Sequence, residues 1–141
     1  MSASVERIAG PAAALKTPAA GYSRGLVFRD PLGRFSLWMF NWAPGSVTPI
    51  HDHHCLCLYG VYQGRLEERL LAVDGTDVAT ELCRTSREAG DVSAGAAASG
   101  EAHQIVNPGA QVVHSIHLYA FDPARHADSL GRRYASPGWT S

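Results

Sequence analysis

The sequence predicts an all-β fold, a sandwich or barrel of short strands. Two observations carry that reading. From Tyr22 to Phe121 the chain runs in short stretches of β-branched, aromatic and leucine residues, broken repeatedly by Gly, Pro, Asn and Asp, the pattern of strands joined by tight turns. Helical periodicity is scarce, and no internal repeat of fixed period is present. At 141 residues, 45% apolar and 18% charged, the chain is one globular domain with a single core. It divides into a lead-in over residues 1–20, a barrel domain over 21–124 and a tail over 125–141.

The lead-in is alanine-rich and broken by Pro11 and Pro18, and Ser4 to Ala9 could make a short helical turn. Arg34 to Ala43 reads as a strand with aromatics on both parities, so both of its faces are expected to be covered. Val47 to His53 and Leu56 to Tyr62 follow, and Gln63-Gly64 marks a turn. Arg65 to Val73 returns as a strand, with Asp74-Gly75 as the next turn. Asp77 to Arg87 alternates weakly up to Ala89-Gly90, and Asp91 to Ala94 is a short strand before the small-residue loop Gly95 to Gly100. Ala102 to Val106 ends at Asn107-Pro108-Gly109, and Gln111 to Phe121 is the last long strand. Beyond Asp122, the tail with Arg132, Arg133 and Trp139 shows no decisive pattern.

Twelve Lys and Arg nearly balance thirteen Asp and Glu, for a net charge of −1. A nucleic-acid or anionic-membrane partner would need a basic face, so neither is expected. The first twenty residues lack the charged start and apolar run of a signal peptide, and no stretch has the length of a membrane span. Three cysteines, Cys55, Cys57 and Cys83, make no even framework, which points to free thiols in a reducing cytoplasm.

The stretch from Pro49 to Gly64 concentrates the chemistry. His51, His53, Cys55 and Cys57 fall within seven residues of a strand-like segment. In an extended chain His51 and His53 project from the same face. Two converging imidazoles need a partner, because an unpaired buried polar group is costly, and a metal ion supplies one. Asp52 has the opposite parity and suits a structural hydrogen bond. His54 suits a turn, and His114 is expected to be exposed.

Two spacings complete the pattern. The first is Gly45, five residues, His51-x-His53, three residues, Cys57, six residues, Gly64; the second runs from Gly90 to His103, three residues, Asn107. Together they resemble the two motifs of the cupin superfamily, small jelly-roll β-barrels that hold a metal among histidines. The general first motif carries a Glu where this chain has Cys57. A site of three neutral imidazoles leaves the metal its full charge and up to three open positions, which suits Fe(II) and an anionic substrate.

Three-histidine cupins of this kind resemble the thiol dioxygenases, the cysteine dioxygenase family. Ser115-Ile116-His117-Leu118-Tyr119 matches that family's Ser-x-His-x-Tyr run, and alternate residues of a strand share one face. Tyr22-Ser23-Arg24 resembles the segment whose arginine binds the substrate carboxylate. Cys57 stands where the animal enzymes carry a cysteine crosslinked to the active-site tyrosine, and where many bacterial members have Gly. The family's Ser-Pro-Pro after the tyrosine is replaced by Ala120-Phe121-Asp122-Pro123.

The resemblance implies Fe(II) on His51, His53 and His103. It implies that Tyr119 directs its hydroxyl at substrate or oxygen, with His117 orienting Tyr119 and Ser115 orienting His117. Arg24 would hold a carboxylate, Tyr22 would flank it, and Cys57 could form a thioether with Tyr119. Cys55 and Cys83 are expected to be ordinary buried thiols, and Trp38, Phe40 and Trp42 to be core. The implied reaction adds O2 to a small thiol to give a sulfinate, L-cysteine being the favoured substrate. A dioxygenase for 3-mercaptopropionate or a related thiol acid, a non-catalytic metal- and ligand-binding cupin, and a centre with Zn, Ni or Mn in place of iron remain alternatives.

Overall fold

The computed structural model describes residues 18–95, 100–121 and 130–135. Its strands are β1 (Tyr22–Arg29), β2 (Ser36–Trp42), β3 (Ile50–His53), β4 (Cys57–Gln63), β5 (Arg65–Val73), β6 (Ala79–Glu88), β7 (Val92–Gly95), β8 (Glu101–Val106), β9 (Val113–Tyr119) and β10 (Leu130–Tyr134). There is no helix among the described residues, and so none long and apolar enough to cross a membrane. The helical turn expected over residues 4–9 and the end of the tail with Trp139 lie outside them.

Two five-stranded antiparallel sheets form, in the orders β1-β2-β9-β4-β7 and β10-β3-β8-β5-β6. Strands distant in sequence become neighbours: β2 runs beside β9 from Ser36↔Tyr119 to Trp42↔Val113. His51 on β3 pairs directly with His103 on β8.

The strands expected from sequence appear as β2 to β9, and Arg65–Val73 is β5 end to end. Two strands carry no clear sequence pattern. β1 is an edge strand with no fully buried residue, so its two faces do not differ enough in polarity to show alternation. β10 lies in the tail and joins the second sheet through β3, pairing Arg133 with His51 and Tyr134 with Ile50.

The main core lies between the sheets. Phe40, Trp42, Tyr59, Val61, Val113 and Tyr119 of the first sheet pack with Leu66 and Ile105 of the second. The β4–β5 turn requires a glycine: Gly64 has φ +92°, and a Cβ there would lie 2.8 Å from Val113 Cγ2. Asn107, wholly buried, ties the end of β8 to that of β2. Its side-chain NH2 donates to the carbonyls of Trp42 (3.2 Å), Ala43 (3.1 Å) and Gln111 (2.8 Å), while its Oδ1 accepts from Gly109 N–H (3.1 Å).

Candidate metal centre

On β3 the burial alternates as the strand period requires, so that Ile50 aside, His51 and His53 turn inward and Asp52 turns away. Antiparallel pairing of β3 with β8 sets His103 opposite His51. The three rings converge, with Nε2 of His103 3.1 Å from Nε2 of His51 and 2.9 Å from Nε2 of His53. The candidate ligand atoms all lie within 4.8 Å of one another.

The outer nitrogens decide what those inner contacts are. His51 Nδ1 lies 2.7 Å from the carbonyl oxygen of Pro49, and His103 Nδ1 lies 3.0 Å from Oε1 of Glu68. Both partners only accept, so each Nδ1 carries a hydrogen, and in a neutral ring Nε2 then presents a lone pair. Burial, followed by the nearby His103 and His53, pushes the pKa of His51 well below its ordinary value, which keeps this ring neutral. With both rings neutral, lone pairs facing each other at 3.1 Å repel. A cation between them turns that repulsion into ligation, and imidazole nitrogens suit Fe, Zn, Cu or Ni. The donor set therefore fits a metal ion.

Glu68 on β5 is itself buried. Besides His103, it receives Arg87 Nε and Ser93 Oγ on its Oε2, each at 2.8 Å. Burial alone would raise its pKa, but the hydrogen bonds from His103, Ser93 and Arg87 outweigh burial and hold the carboxyl at about 2. The Tyr59 hydroxyl is buried beside this group without a hydrogen bond of normal geometry.

Across the cavity, β9 presents Ser115, His117 and Tyr119 on its buried face. Ser115 Oγ is 2.8 Å from His117 Nε2, and His117 Nδ1 is 3.2 Å from the Tyr119 hydroxyl. The direction of this chain is set at its far end, where Trp42 Nε1–H donates to Ser115 Oγ at 2.8 Å. An indole N–H can only donate, so Ser115 accepts from it; His117 Nε2 is the one other partner of this buried hydroxyl among the described residues, and it takes the serine hydrogen. His117 then carries its hydrogen on Nδ1 and donates to the Tyr119 oxygen, which frees the tyrosine hydrogen for another acceptor. Complete burial pushes the pKa of His117 well below its ordinary value, so the ring relays as neutral imidazole.

A cavity of about 160 Å³ separates the two groups, lined by the three converging histidines, His117 and Tyr119, and by Tyr22, Phe40 and Trp42. That is below the ~300–1,000 Å³ of pockets for drug-sized ligands, and it suits a small molecule. Arg24 lines it from β1, its guanidinium 4.9 Å from the centroid of the Trp38 ring, a cation–π stack. Arg133 lines it from β10. No carboxylate is among the described lining residues.

The other expectations divide. Asp52 accepts a hydrogen bond from the Tyr134 hydroxyl at 2.8 Å, tying β3 to β10. His54 sits at a bend, exposed, against the edge of Phe121. Cys57 is cross-strand from Tyr119 and buried, and its burial pushes the thiol far up. Phe40 and Trp42 are core as expected, whereas Trp38 is half-buried under Arg24. Two expectations fail. His114 is half-buried rather than exposed, because its ring reaches across to β2 and contacts Asn41 Oδ1 at 2.5 Å. Cys83 is exposed, since β6 is an edge strand whose outer face nothing covers among the described residues; Cys55 is buried.

Sequence reading missed three residues around the cavity. Glu68 had a usable signal: it shares strand parity with the core residue Leu66, and an inward carboxylate demands partners. Trp42 reads as core and is core; its second role depends on a serine 73 positions away. Arg133 comes from a segment without strand pattern.

A solved cupin 2 conserved barrel domain protein from Salinispora arenicola CNS-205 is 26% identical, with a TM-score of 0.53 over 73% of this chain and 77% of that one. The cupin domain of an XRE family transcriptional regulator from Enterobacter cloacae is 18% identical, with a TM-score of 0.54 over 72% of this chain and 97% of that one. An oxalate oxidase is 19% identical, with a TM-score of 0.59 over 74% of this chain but only 53% of that one. These likenesses establish the cupin fold. The family model for cysteine dioxygenase type I matches residues 15–129. That segment holds β1 to β9, the three converging histidines and the Ser115–His117–Tyr119 chain, and the protein belongs to the cysteine dioxygenase type I family.

Proposed function

We propose that this protein is an iron-dependent thiol dioxygenase acting on a small thiol that bears a carboxylate. One observation carries the reading. A facial trio of histidine nitrogens on one sheet and a directed Trp42–Ser115–His117–Tyr119 chain on the other open on the same small cavity. The reaction RS⁻ + O2 → RSO2⁻ balances with no outside reductant. Fe(II) on His51, His53 and His103 would hold the thiolate and mediate its oxidation by O2.

The chain's own residues supply the rest. Arg24 holds the substrate carboxylate by a charge-assisted hydrogen bond and, stacked on Trp38, is restrained before substrate arrives. Tyr119 donates its hydroxyl to the substrate or oxygen side, and His117 fixes where that hydrogen points. Phe40, Trp42 and Tyr22 wall the cavity with aromatic surface and exclude water.

L-cysteine, giving cysteine sulfinic acid, is the favoured substrate. A second reading has a specific support: two arginines and no carboxylate face the cavity among the described residues, so nothing there is built to pair with an ammonium. That favours 3-mercaptopropionate or a related thiol acid without an amine.

The test is metal analysis combined with O2 uptake on L-cysteine and on 3-mercaptopropionate. Iron with thiol-dependent uptake and a sulfinate product is expected, and the better substrate selects between the two readings. Purified protein that holds iron yet consumes no O2 with either thiol would overturn the dioxygenase and leave a ligand-binding cupin. His103→Ala is expected to lose the metal.

A further inference from the structure

We infer that Glu68 is a positioning residue of the metal centre, returning through His103 the negative charge that Cys57 withholds from the ligand set. The inference rests on the proposed three-histidine metal site. It starts from an asymmetry among the ligands. His51 is backed by a neutral carbonyl, that of Pro49 at 2.7 Å, whereas His103 is backed by a carboxylate at 3.0 Å. A carboxylate behind a ligating imidazole fixes its tautomer and ring orientation and makes its free nitrogen a stronger donor.

The carboxylate is held in place for that purpose. Glu68 sits on β5, its side chain 8% exposed, and its far oxygen is engaged by Arg87 from β6 and Ser93 from β7. Both oxygens are occupied, so the group cannot rotate away from His103 without breaking one hydrogen bond to a cation and another to a hydroxyl. β5 and β8 are adjacent strands in which Glu68 pairs with Ile105 and Leu70 with His103, which brings the carboxylate diagonally over the imidazole. The centre is thus three imidazoles to the metal and one anion immediately behind them. The general first motif carries a Glu at the place of Cys57; here the anion stands one imidazole back, behind His103.

The experiment titrates Co(II) into metal-free protein against a chelator and follows the visible Co(II) spectrum. Wild type, Glu68→Gln, Glu68→Asp and Arg87→Gln are compared, with circular dichroism and thermal melts of each metal-free protein as the folding control. Glu68→Gln keeps the shape and an acceptor oxygen but removes the charge, and it is expected to weaken Co(II) binding by about 10–100-fold. Glu68→Asp withdraws the carboxylate from the ring and is expected to weaken binding as well, so it serves if the Gln variant does not fold. Arg87→Gln leaves the carboxylate charge, the Glu68–His103 contact and the Ser93 hydrogen bond that still anchors Oε2, and it is expected to stay within about threefold of wild type, well inside the loss typical for a ligand's own partner. Wild-type affinity in folded Glu68→Gln overturns the inference alone. Equal losses in Glu68→Gln and Arg87→Gln also overturn it, reducing Glu68 to a clamp between strands. No Co(II) binding by wild type overturns the metal site itself and the inference with it.

Discussion

Replacing Ser115 with alanine removes one oxygen atom from a position that is wholly buried and does not line the cavity. Two polar atoms lose their partner at once, the Trp42 indole N–H and the His117 Nε2, each now at 2.8 Å from the serine oxygen. A buried group left unsatisfied costs about 1–3 kcal/mol, so the two together cost about 2–6 kcal/mol. At roughly 3 °C per kcal/mol for a domain of this size, the melting temperature of Ser115→Ala should fall by about 6–18 °C. Catalysis should fall separately. Without Ser115 nothing obliges His117 to carry its hydrogen on Nδ1, and the directed bond to Tyr119 is lost for part of the population. A hydrogen bond worth about 1–2 kcal/mol corresponds to a loss of about 5–30-fold in kcat. KM should change by less than about twofold, because binding contacts are untouched. The assays are a thermal melt and steady-state O2 uptake. A lowered melting temperature with kcat unchanged would show that Ser115 only fills space, and would refute the directional relay.

Arg24→Ala should raise KM for a carboxylate-bearing thiol by about one to two decades, the worth of a charge-assisted hydrogen bond of about 1.5–3 kcal/mol, while kcat moves little. Arg133→Ala should act in the same direction but less, since Arg133 is the more exposed of the two; unchanged kinetics in both variants would remove carboxylate recognition from this wall. If a thioether joins Cys57 to Tyr119, denaturing gels of protein that has turned over should show a second band, absent in Cys57→Ala. Asp30 is held at about 2, against 3.8 for a free aspartate, first by the side-chain hydrogen bonds of Arg34. Its folded value is the lower one, so its stabilisation is complete above about pH 4 and is lost as pH falls towards 2. Asp30→Asn should therefore lower the melting temperature at pH 7 and narrow its gap from wild type on acidification through that window; a gap that stays constant down to pH 2 would exclude the linkage.

Strands were legible wherever one or both faces are buried. β5 could be delimited to the residue because it lies between two turns with Gly64 and Gly75, both at positive φ. β9 showed its period directly, with Val113, Ser115, His117 and Tyr119 inward. β1 and β10 were not legible: β1 is at a sheet edge without a buried face, and β10 is defined by its pairing with β3. The histidine trio was legible in part for the same reason as β9. His51 and His53 are two residues apart on one strand, and a strand's period alone puts them side by side. His103 could be added only through its spacing to Asn107 and the motif resemblance.

What the sequence by itself determined is everything that follows from period and residue type: the all-β class, the shared face of His51 and His53, the shared face of Ser115, His117 and Tyr119, and the turn at Gly64. These depend on neighbours along the chain. Tertiary structure decided which distant groups complete them. Glu68 behind His103, Trp42 at the head of the serine chain and Arg133 in the lining of the same cavity as Arg24 all come from strand neighbours or facing sheets separated by tens of residues. Their placement follows from sheet order and register, β3 against β8 and β2 against β9, which are set by burial of both sheets around one core and leave no local mark in the sequence.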